Sequence, residues 1–573
     1  MENKEIIKQL KLTVALLELH QDPAKSDDAF KIRGYNNAIF NIERIDKQLS
    51  KLSLDEICKI DGVGKSMASI IFEIGNKGTS ALLTDLSQRT PPGIIEMLKL
   101  KGIGPKKIKL IWDELKIETL VELLQACEDG KVRKLKGFGE KTEEGIKQSL
   151  LFTASNKSKM LFYNAEHISK LIEQDLKILF PEAFISTAGE IRRKLEIIEK
   201  ITLVIGTDTI LEVYGSLSKS ELLKHDLKSS GPFTWRGCLS DDSLKVEIHL
   251  TSRENFINIL FLHTGSGKHL SNRLANQKTL IQILKEETYK NEESVYEKAE
   301  LPFIVPELRE GLYEFNNKFH SSLPDLLKMQ DLKGVIHSHS LYSDGKNSLK
   351  EMAEKCITLG YEYLGITDHS KTAFYANGLD EYRIVQQHRE IDVLNKELAP
   401  FRIFKGIESD ILNDGSLDYS DEVLSSFDFV IASVHSNLKM DITKATDRLI
   451  KAISNQFTTF LGHATGRLLL RREGYPIDYK SVIDACSSNG VIIEINANPH
   501  RLDIDWKWIQ HGLEENVLFS INPDAHEIDT IENMYYGVCV ARKGGLTNNY
   551  NFNCLSMPEA DAYFLKRKKK INN

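Results

Sequence analysis

Apolar residues recur at helical spacing from residue 1 to about 150, in short segments separated by glycine turns, which predicts a helical N-terminal region. Beyond residue 330 the pattern changes. Short apolar runs alternate with longer amphipathic segments: GVIHSHS (334–340), a helix near 348–359, YEYLGITDHS (361–370), a helix near 380–398, FRIFKGIESD (401–410), FDFVIASVHS (427–436), a helix near 442–456, TFLGHAT (459–465), a helix near 478–488, GVIIEINANP (490–499) and VLFSINPDAH (517–526). Such alternation predicts a parallel α/β barrel. Nearly every strand ends in a metal-ligating type: His337 and His339, then His369, Glu408, His435, His463, and finally Asp524 and His526, with Asp344 just after the first strand. In a barrel these C-terminal ends share one rim, where active sites are built. A single HxH also fits a surface pair or a satisfied core pair; nine such groups at one end of successive strands do not.

At 573 residues, 41% hydrophobic and 27% charged, the chain is expected to build three to five soluble domains. The first twenty residues read as an amphipathic helix rather than a leader, and no run approaches eighteen uncharged apolar residues, so no membrane span is expected. Seven dispersed cysteines fit reduced thiols in the cytosol. A net charge of -7 gives no global sign of nucleic-acid binding, so such a role must rest on local sites. The basic run 566–570 reads as a solvated tail or as a source of non-specific phosphate affinity.

Three glycine turns resemble one another: IDGVGKSMASII (60–71), LKGIGPKKIKLIW (100–112) and LKGFGEKTEEGIKQSL (135–150). The pairs Gly62 and Gly64, Gly102 and Gly104, and Gly137 and Gly139 turn the backbone tightly and leave N–H groups free at a helix start, where an anion can sit. They resemble helix-hairpin-helix motifs, which hold the DNA backbone through main-chain N–H groups and nearby lysines, here Lys65, Lys106, Lys107 and Lys141. A structural helical repeat is the alternative. Together with FKIRGYNNAIFNI (30–42), carrying Lys31, Arg33 and Tyr35, they resemble the 8-kDa domain and fingers segment of a family X DNA polymerase.

That resemblance implies an α+β palm and thumb, with a glycine and serine, an arginine pair, and a strand ending in Gly-Asp-Ile-Asp that binds two Mg²⁺. AGEIRRKLEIIEKITLVIG (188–206) keeps Gly189, Arg192, Arg193 and the apolar strand, but has Glu199-Lys200-Ile201-Thr202 where the acids belong and Glu190 in place of the serine. Glu247 stands alone as the third acid, and LHTGSGKH (262–269) resembles the sugar-binding turn. Two-metal phosphoryl transfer needs several carboxylates around cations about 4 Å apart. A palm that keeps its fold but has lost nucleotidyl transfer is expected, with no Mg²⁺ in it.

After LPFIVPELREG (301–311) and a short polar connection, the rim order HxH, Asp, Asp-His, Glu, His, His, Asp-x-His resembles the polymerase and histidinol phosphatase (PHP) domain, a distorted seven-stranded barrel with a trinuclear metal centre. GHATGRLLLRREGYPID (462–478) and EINANPHRLDIDWKWI (494–509) resemble the form fused to bacterial family X polymerases. The resemblance implies one metal at His337, His339, Glu408 and Asp524, a second sharing Glu408 with His435 and His463, and a third at Asp344, His369 and His526. It also implies four parts: 1–85, 86–155, 156–315 and 330–565. Imidazole and carboxylate without thiolate suit Mn²⁺ or Zn²⁺. Arg467, Arg471 and Arg472 are candidates to clamp phosphate, with Arg501 a weaker one; each also fits an ordinary surface residue.

The expected function is a DNA-binding, metal-dependent phosphodiesterase in DNA repair, a 3′→5′ exonuclease that also fits abasic-site or 3′-end processing, acting in the cytoplasm at the nucleoid on gapped, nicked or 3′-ended duplex. The alternatives are an active repair polymerase with an accessory nuclease, a small-molecule phosphatase of the histidinol phosphate type, and a non-catalytic DNA-binding scaffold.

Overall fold

Ile6, Leu10 and Val14 recur at helical spacing, and in the computed structural model they pack against Ile39, Ile42, Met67, Ile71 and Ile74 as one helical core. A second helical core joins Ile94, Met97, Ile108, Ile111, Leu123, Ile146 and Leu150. Local sequence sets the helix starts: Ser53 with Glu56 and Thr119 with Glu122 form reciprocal capping boxes. The structure describes residues 1–21, 26–43, 45, 47–100, 102–316 and 324–572; the side chains of Phe30 and Lys570, residue Lys101, and positions 317–323 of the polar connection lie outside them. The chain divides into two units, Met1–Lys157 and Ser158–Asn573.

The second unit begins with the α+β region. A two-residue strand β1 (Met160–Leu161) pairs with β3 (Ile197–Ile198). The main sheet has β2 (Phe184–Thr187), β4 (Lys200–Gly206), β7 (Lys245–Thr251), β6 (Thr234–Leu239) and β5 (Leu223–His225) in that order. β4 and β7 run parallel with Thr202 opposite Glu247, so the positions expected to carry catalytic acids do lie side by side.

Seven strands form the barrel: β8 (Gly334–Ser338), β9 (Tyr363–Ile366), β10 (Arg402–Asp410), β11 (Phe429–Ser433), β12 (Thr458–Leu461), β13 (Ile492–Asn496) and β14 (Phe519–Asn522), each parallel to its neighbour. Ser338 bridges in parallel to Ala525, closing the sheet from β8 to the segment after β14. Phe429 fills the interior, and glycine is required beside it: a Cβ on Gly406 would lie 2.3 Å from its ring.

The basic run is not a free tail. It lies on the helix Met557–Asn572, whose Phe564 stacks on Phe429 at 5.0 Å and packs with Phe404, Phe460 and Phe552. Arg567 donates to the carbonyls of Gly490 and Thr458, and Lys568 pairs with Asp428 at 3.1 Å. The apolar face that buries Phe564 fixes this helix on the barrel. Truncating Phe564 removes a buried ring and leaves a cavity, so Phe564→Ala is expected to lower stability by about 3 kcal/mol. A urea midpoint unchanged from wild type would contradict that role.

Candidate metal centre and nucleic-acid interface

Glu408 sits two residues before the end of β10, with its carboxylate buried at the barrel rim. Five imidazoles reach it: His369 and His463 at 3.0 Å, His435 at 3.2 Å, His337 at 3.3 Å and His339 at 3.6 Å. Asp524 lies 3.2 Å from His339 and 3.5 Å from His337, and Asp344 lies 3.4 Å from His526 and 3.7 Å from His369. All nine rim groups are therefore brought together. His337 and Asp524 adopt φ of 67° and 52°, a left-handed backbone that ordinary side chains rarely take and that recurs at functional sites.

Their grouping differs in detail from the expected partition. Ligand atoms cluster as His339, Asp344, His369 and His526; as His337, His339 and Asp524; and as His369, Glu408 and His435. His339 and His369 are each shared between clusters. His463 joins through Glu408. Several of these atoms have no hydrogen-bond partner although buried: Nε2 of His337, Nδ1 of His339, His369 and His463, and Oε2 of Glu408. Buried polar atoms that face one another unbonded are what a set of donors awaiting cations should look like. The donor set fits divalent metal.

Groups the sequence reading missed hold these ligands. Glu494 accepts from His337 Nδ1 at 2.5 Å and from the backbone N–H of His463 at 3.0 Å, and is itself fixed by Asn522 and Asn496. Asp410 meets His435 Nδ1 at 2.5 Å. A carboxylate behind each imidazole sets its tautomer and aims the other nitrogen at the rim. Glu494 and Asp410 were legible only as polar residues inside otherwise apolar strands.

Charge follows from burial and neighbours. Burial would lower the His435 imidazole, but Glu408 and Asp410 outweigh it and push it up to about 10. His526 is likewise raised to about 9 by Asp344 and Asp524 against burial. Burial, reinforced by His526 and His369, holds His339 down to about 3. Glu408 is held well below the usual carboxylate range, because His435, His337 and His369 overcome its burial.

The arginines divide differently than expected. Arg467 is occupied elsewhere than at the rim cluster: its guanidinium binds Glu196 at 2.5 Å, Asp505 at 3.3 Å and the carbonyls of Arg501 and Leu502. Arg472 turns back onto the Gly466 carbonyl at 2.6 Å, and Arg471 is exposed. Arg501 is the one that reaches the centre, its Nε 3.5 Å from Asp524.

Among the described residues the palm offers no comparable set. Lys200 and Arg236 both pair with Glu247, the latter at 2.8 Å, so its carboxylate is held low by cations that overcome its burial. Glu190 accepts from the backbone N–H of Glu199 at 2.7 Å, Arg192 grips Glu292 with two hydrogen bonds, and Arg193 binds Glu310 at 2.9 Å. These cations are internally paired rather than presented to phosphate.

In each N-terminal hairpin the first glycine has positive φ: 72° at Gly62, 84° at Gly102 and 82° at Gly137. The second, Gly64, Gly104 or Gly139, caps a helix without any side-chain bond, which leaves first-turn N–H groups open; the helix after Gly104 starts with Pro105, which has no N–H, so donors are fewer there. Space around Gly64, Gly102, Gly104, Gly137 and Gly139 is empty to 4 Å, and Lys65 and Lys106 are exposed beside the first two turns. The third differs. Glu140 opens its helix and, with Glu143, binds Arg133, placing acid where an anion would approach.

Comparison with known proteins matches residues 336–498 to the PHP domain, 1–80 to a helix-hairpin-helix domain and 94–150 to a SAM-like helix-hairpin-helix tandem. The DNA polymerase/3′-5′ exonuclease PolX of Bacillus subtilis is 36% identical over 99% of this chain and 100% of its own length. The chain belongs to the PolX family. Probable phosphatases of Thermoanaerobacter sp. and Acetivibrio thermocellus are 25% and 28% identical over 41% and 28% of the chain, covering 95% and 63% of their own lengths. PolX likeness thus spans all parts of the chain, whereas the phosphatase likeness is partial. Among the described residues no helix is long and apolar enough to cross a membrane, and all seven cysteines are unpaired.

A ligating imidazole must be neutral, whereas His435 and His526, raised to about 10 and about 9, carry protons at pH 8 in the metal-free protein. If these groups hold a divalent metal, its binding releases protons and its affinity falls as pH is lowered. Calorimetric titration in two buffers of different ionisation enthalpy checks this; equal heats in both would contradict it.

Proposed function

We propose that this PolX member is a metal-dependent 3′→5′ exonuclease whose PHP barrel cleaves DNA and whose palm does not synthesise it. The observation that carries this reading is the convergence of nine candidate ligating groups, Glu408 and Asp524 among them, set against a palm whose one acid at an expected metal position, Glu247, is paired to Lys200 and Arg236. The name of the Bacillus subtilis relative, DNA polymerase/3′-5′ exonuclease, supports the exonuclease half of this reading. We divide the chain at the expected boundaries: an 8-kDa-like part (1–85), a hairpin tandem (86–155), the palm and thumb (156–315) and the barrel (330–565).

In this reading His337, His339, Asp344, His369, Glu408, His435, His463, Asp524 and His526 hold Mn²⁺ or Zn²⁺. Such ions, once bound, supply a water acidified toward neutral pH and positive charge against phosphate oxygens. Glu494 and Asp410 fix the imidazoles behind them. Arg501, rather than Arg467, faces the phosphate. The hairpins at Gly62 and Gly102 hold the DNA backbone through main-chain N–H groups without reading sequence, and the substrate is a gapped, nicked or 3′-ended duplex in the cytoplasm.

His337→Ala and Glu408→Ala are expected to reduce hydrolysis of 5′-labelled DNA at least a hundredfold, as losses of ligating groups do. DNA binding, measured by anisotropy, should stay within about twofold, because the hairpins lie in a different part of the chain. Wild-type cleavage by both variants would overturn the metal-centre reading.

Gly104 offers a separate test, because its φ of -97° suits any residue and its surroundings are open. Gly104→Val should fold normally yet hold a phosphate away from the helix start, weakening binding about equally on all sequences. Unchanged affinity at fixed salt would remove this hairpin from the DNA interface.

A further inference from the structure

The rim of the barrel carries two aromatic side chains that neither the fold nor the metal centre uses. Phe374 and Tyr375, on the loop between β9 and the helix Glu381–Glu397, are 87% and 72% exposed. Large exposed rings are costly to display and mark contact surfaces when they adjoin a site. Tyr375 adjoins it, and Phe374 precedes it on the same turn. The ring of Tyr375 lies 6.1 Å from that of His369, which in turn lies 3.0 Å from Glu408 and 3.7 Å from Asp344. Its phenol is raised, first by burial and then by the carboxylates of Glu408, Asp410 and Asp344.

The loop that displays them is pinned. Thr372 donates its N–H to Asp418 at 2.7 Å and its hydroxyl to Asp418 and Asp410, the latter also holding His435. Ala373 and Ala376 are buried, Leu379 donates to the His369 carbonyl at 2.8 Å, and Arg383 ties the carbonyls of Asn377 and Gly378 to that of Tyr342. A rigid loop that ends in exposed rings loses little conformational entropy when a flat partner covers them. The partner must be flat, apolar on its face, and attached to a phosphodiester that reaches the metal ligands. A nucleobase at a strand end meets all three conditions, and every base has a face to stack.

We propose that Phe374 and Tyr375 form a stacking step that receives the unpaired 3′-terminal nucleobase, so that the centre acts on a nucleic-acid end in preference to a bare phosphate ester. This rests on the exonuclease reading above and adds the residues that select its substrate. Tyr375, placed over the His369 side of the centre, orients the terminal nucleotide; Phe374 extends the step outward. The barrel then distinguishes a strand end by its base, independently of the hairpins, which hold only backbone.

The test uses the full chain with Mn²⁺ and 5′-labelled single strands whose 3′-terminal residue is either a normal nucleotide or a tetrahydrofuran that lacks the base. Wild type should prefer the base-bearing end by about tenfold in kcat/KM, through KM, as expected for loss of one stacked base. Tyr375→Ala, and more fully Phe374→Ala with Tyr375→Ala, should bring that ratio toward one, whereas Tyr375→Phe should keep it. A wild-type ratio of one, or a ratio unchanged in the double variant, would overturn the stacking step. His337→Ala assayed alongside separates the two ideas. If it still cleaves, the metal-centre reading fails; if it is inactive while the ratio persists in the double variant, only the stacking step fails.

Discussion

A single buried carboxylate organises the barrel: Glu408, with five imidazoles between 3.0 and 3.6 Å away. An ionised carboxylate without partners could not remain in such an interior, and five imidazoles could not crowd together without anionic charge among them. Each therefore requires the other. Parallel strands whose C-terminal ends meet on one rim bring these residues, far apart in sequence, to one place. The neighbouring carboxylates raise His435 and His526 against their burial, whereas burial and two nearby imidazoles hold His339 low.

The palm is better understood as part of the barrel's support than as a second active site. Its short segment 193–196 is gripped from the barrel side: Lys543 donates to the Arg193 carbonyl and to Glu310, Lys194 shares Glu166 with Tyr535, and Glu196 binds Arg467. Lys543 is fully buried, so its two ties are desolvated and strongly directional. Because Arg467 also holds the carbonyls of Arg501 and Leu502, the palm fixes the backbone that carries Arg501 to Asp524.

Much of this was legible in the sequence because strand-end ligands and glycine hairpins are local signals. The order of His337, His339, Glu408 and Asp524 along alternating runs fixed both the barrel and its rim, and the helix boundaries fell within a few residues of expectation. What could not be read was pairing between distant residues. Arg467 looks like a phosphate clamp until Glu196, 271 positions earlier, is placed beside it. The run 566–570 looks like a tail until Phe564 is seen stacked on Phe429. Glu494 and Asp410 have no motif of their own, since a residue that orients a ligand is defined only by the ligand it touches. Tyr375 was silent for the same reason.

The central claim is that chemistry has moved wholly to the barrel. Its most direct test is incubation of the purified full chain with Mn²⁺ and a 5′-labelled gapped duplex, with and without deoxynucleotides, with products resolved by length. Shortening of the labelled strand in both conditions, and no product longer than the primer, is the predicted result. Extension by the added nucleotides would contradict it, because a palm whose Glu247 is paired to Lys200 and Arg236 has no carboxylates free to hold two metal ions.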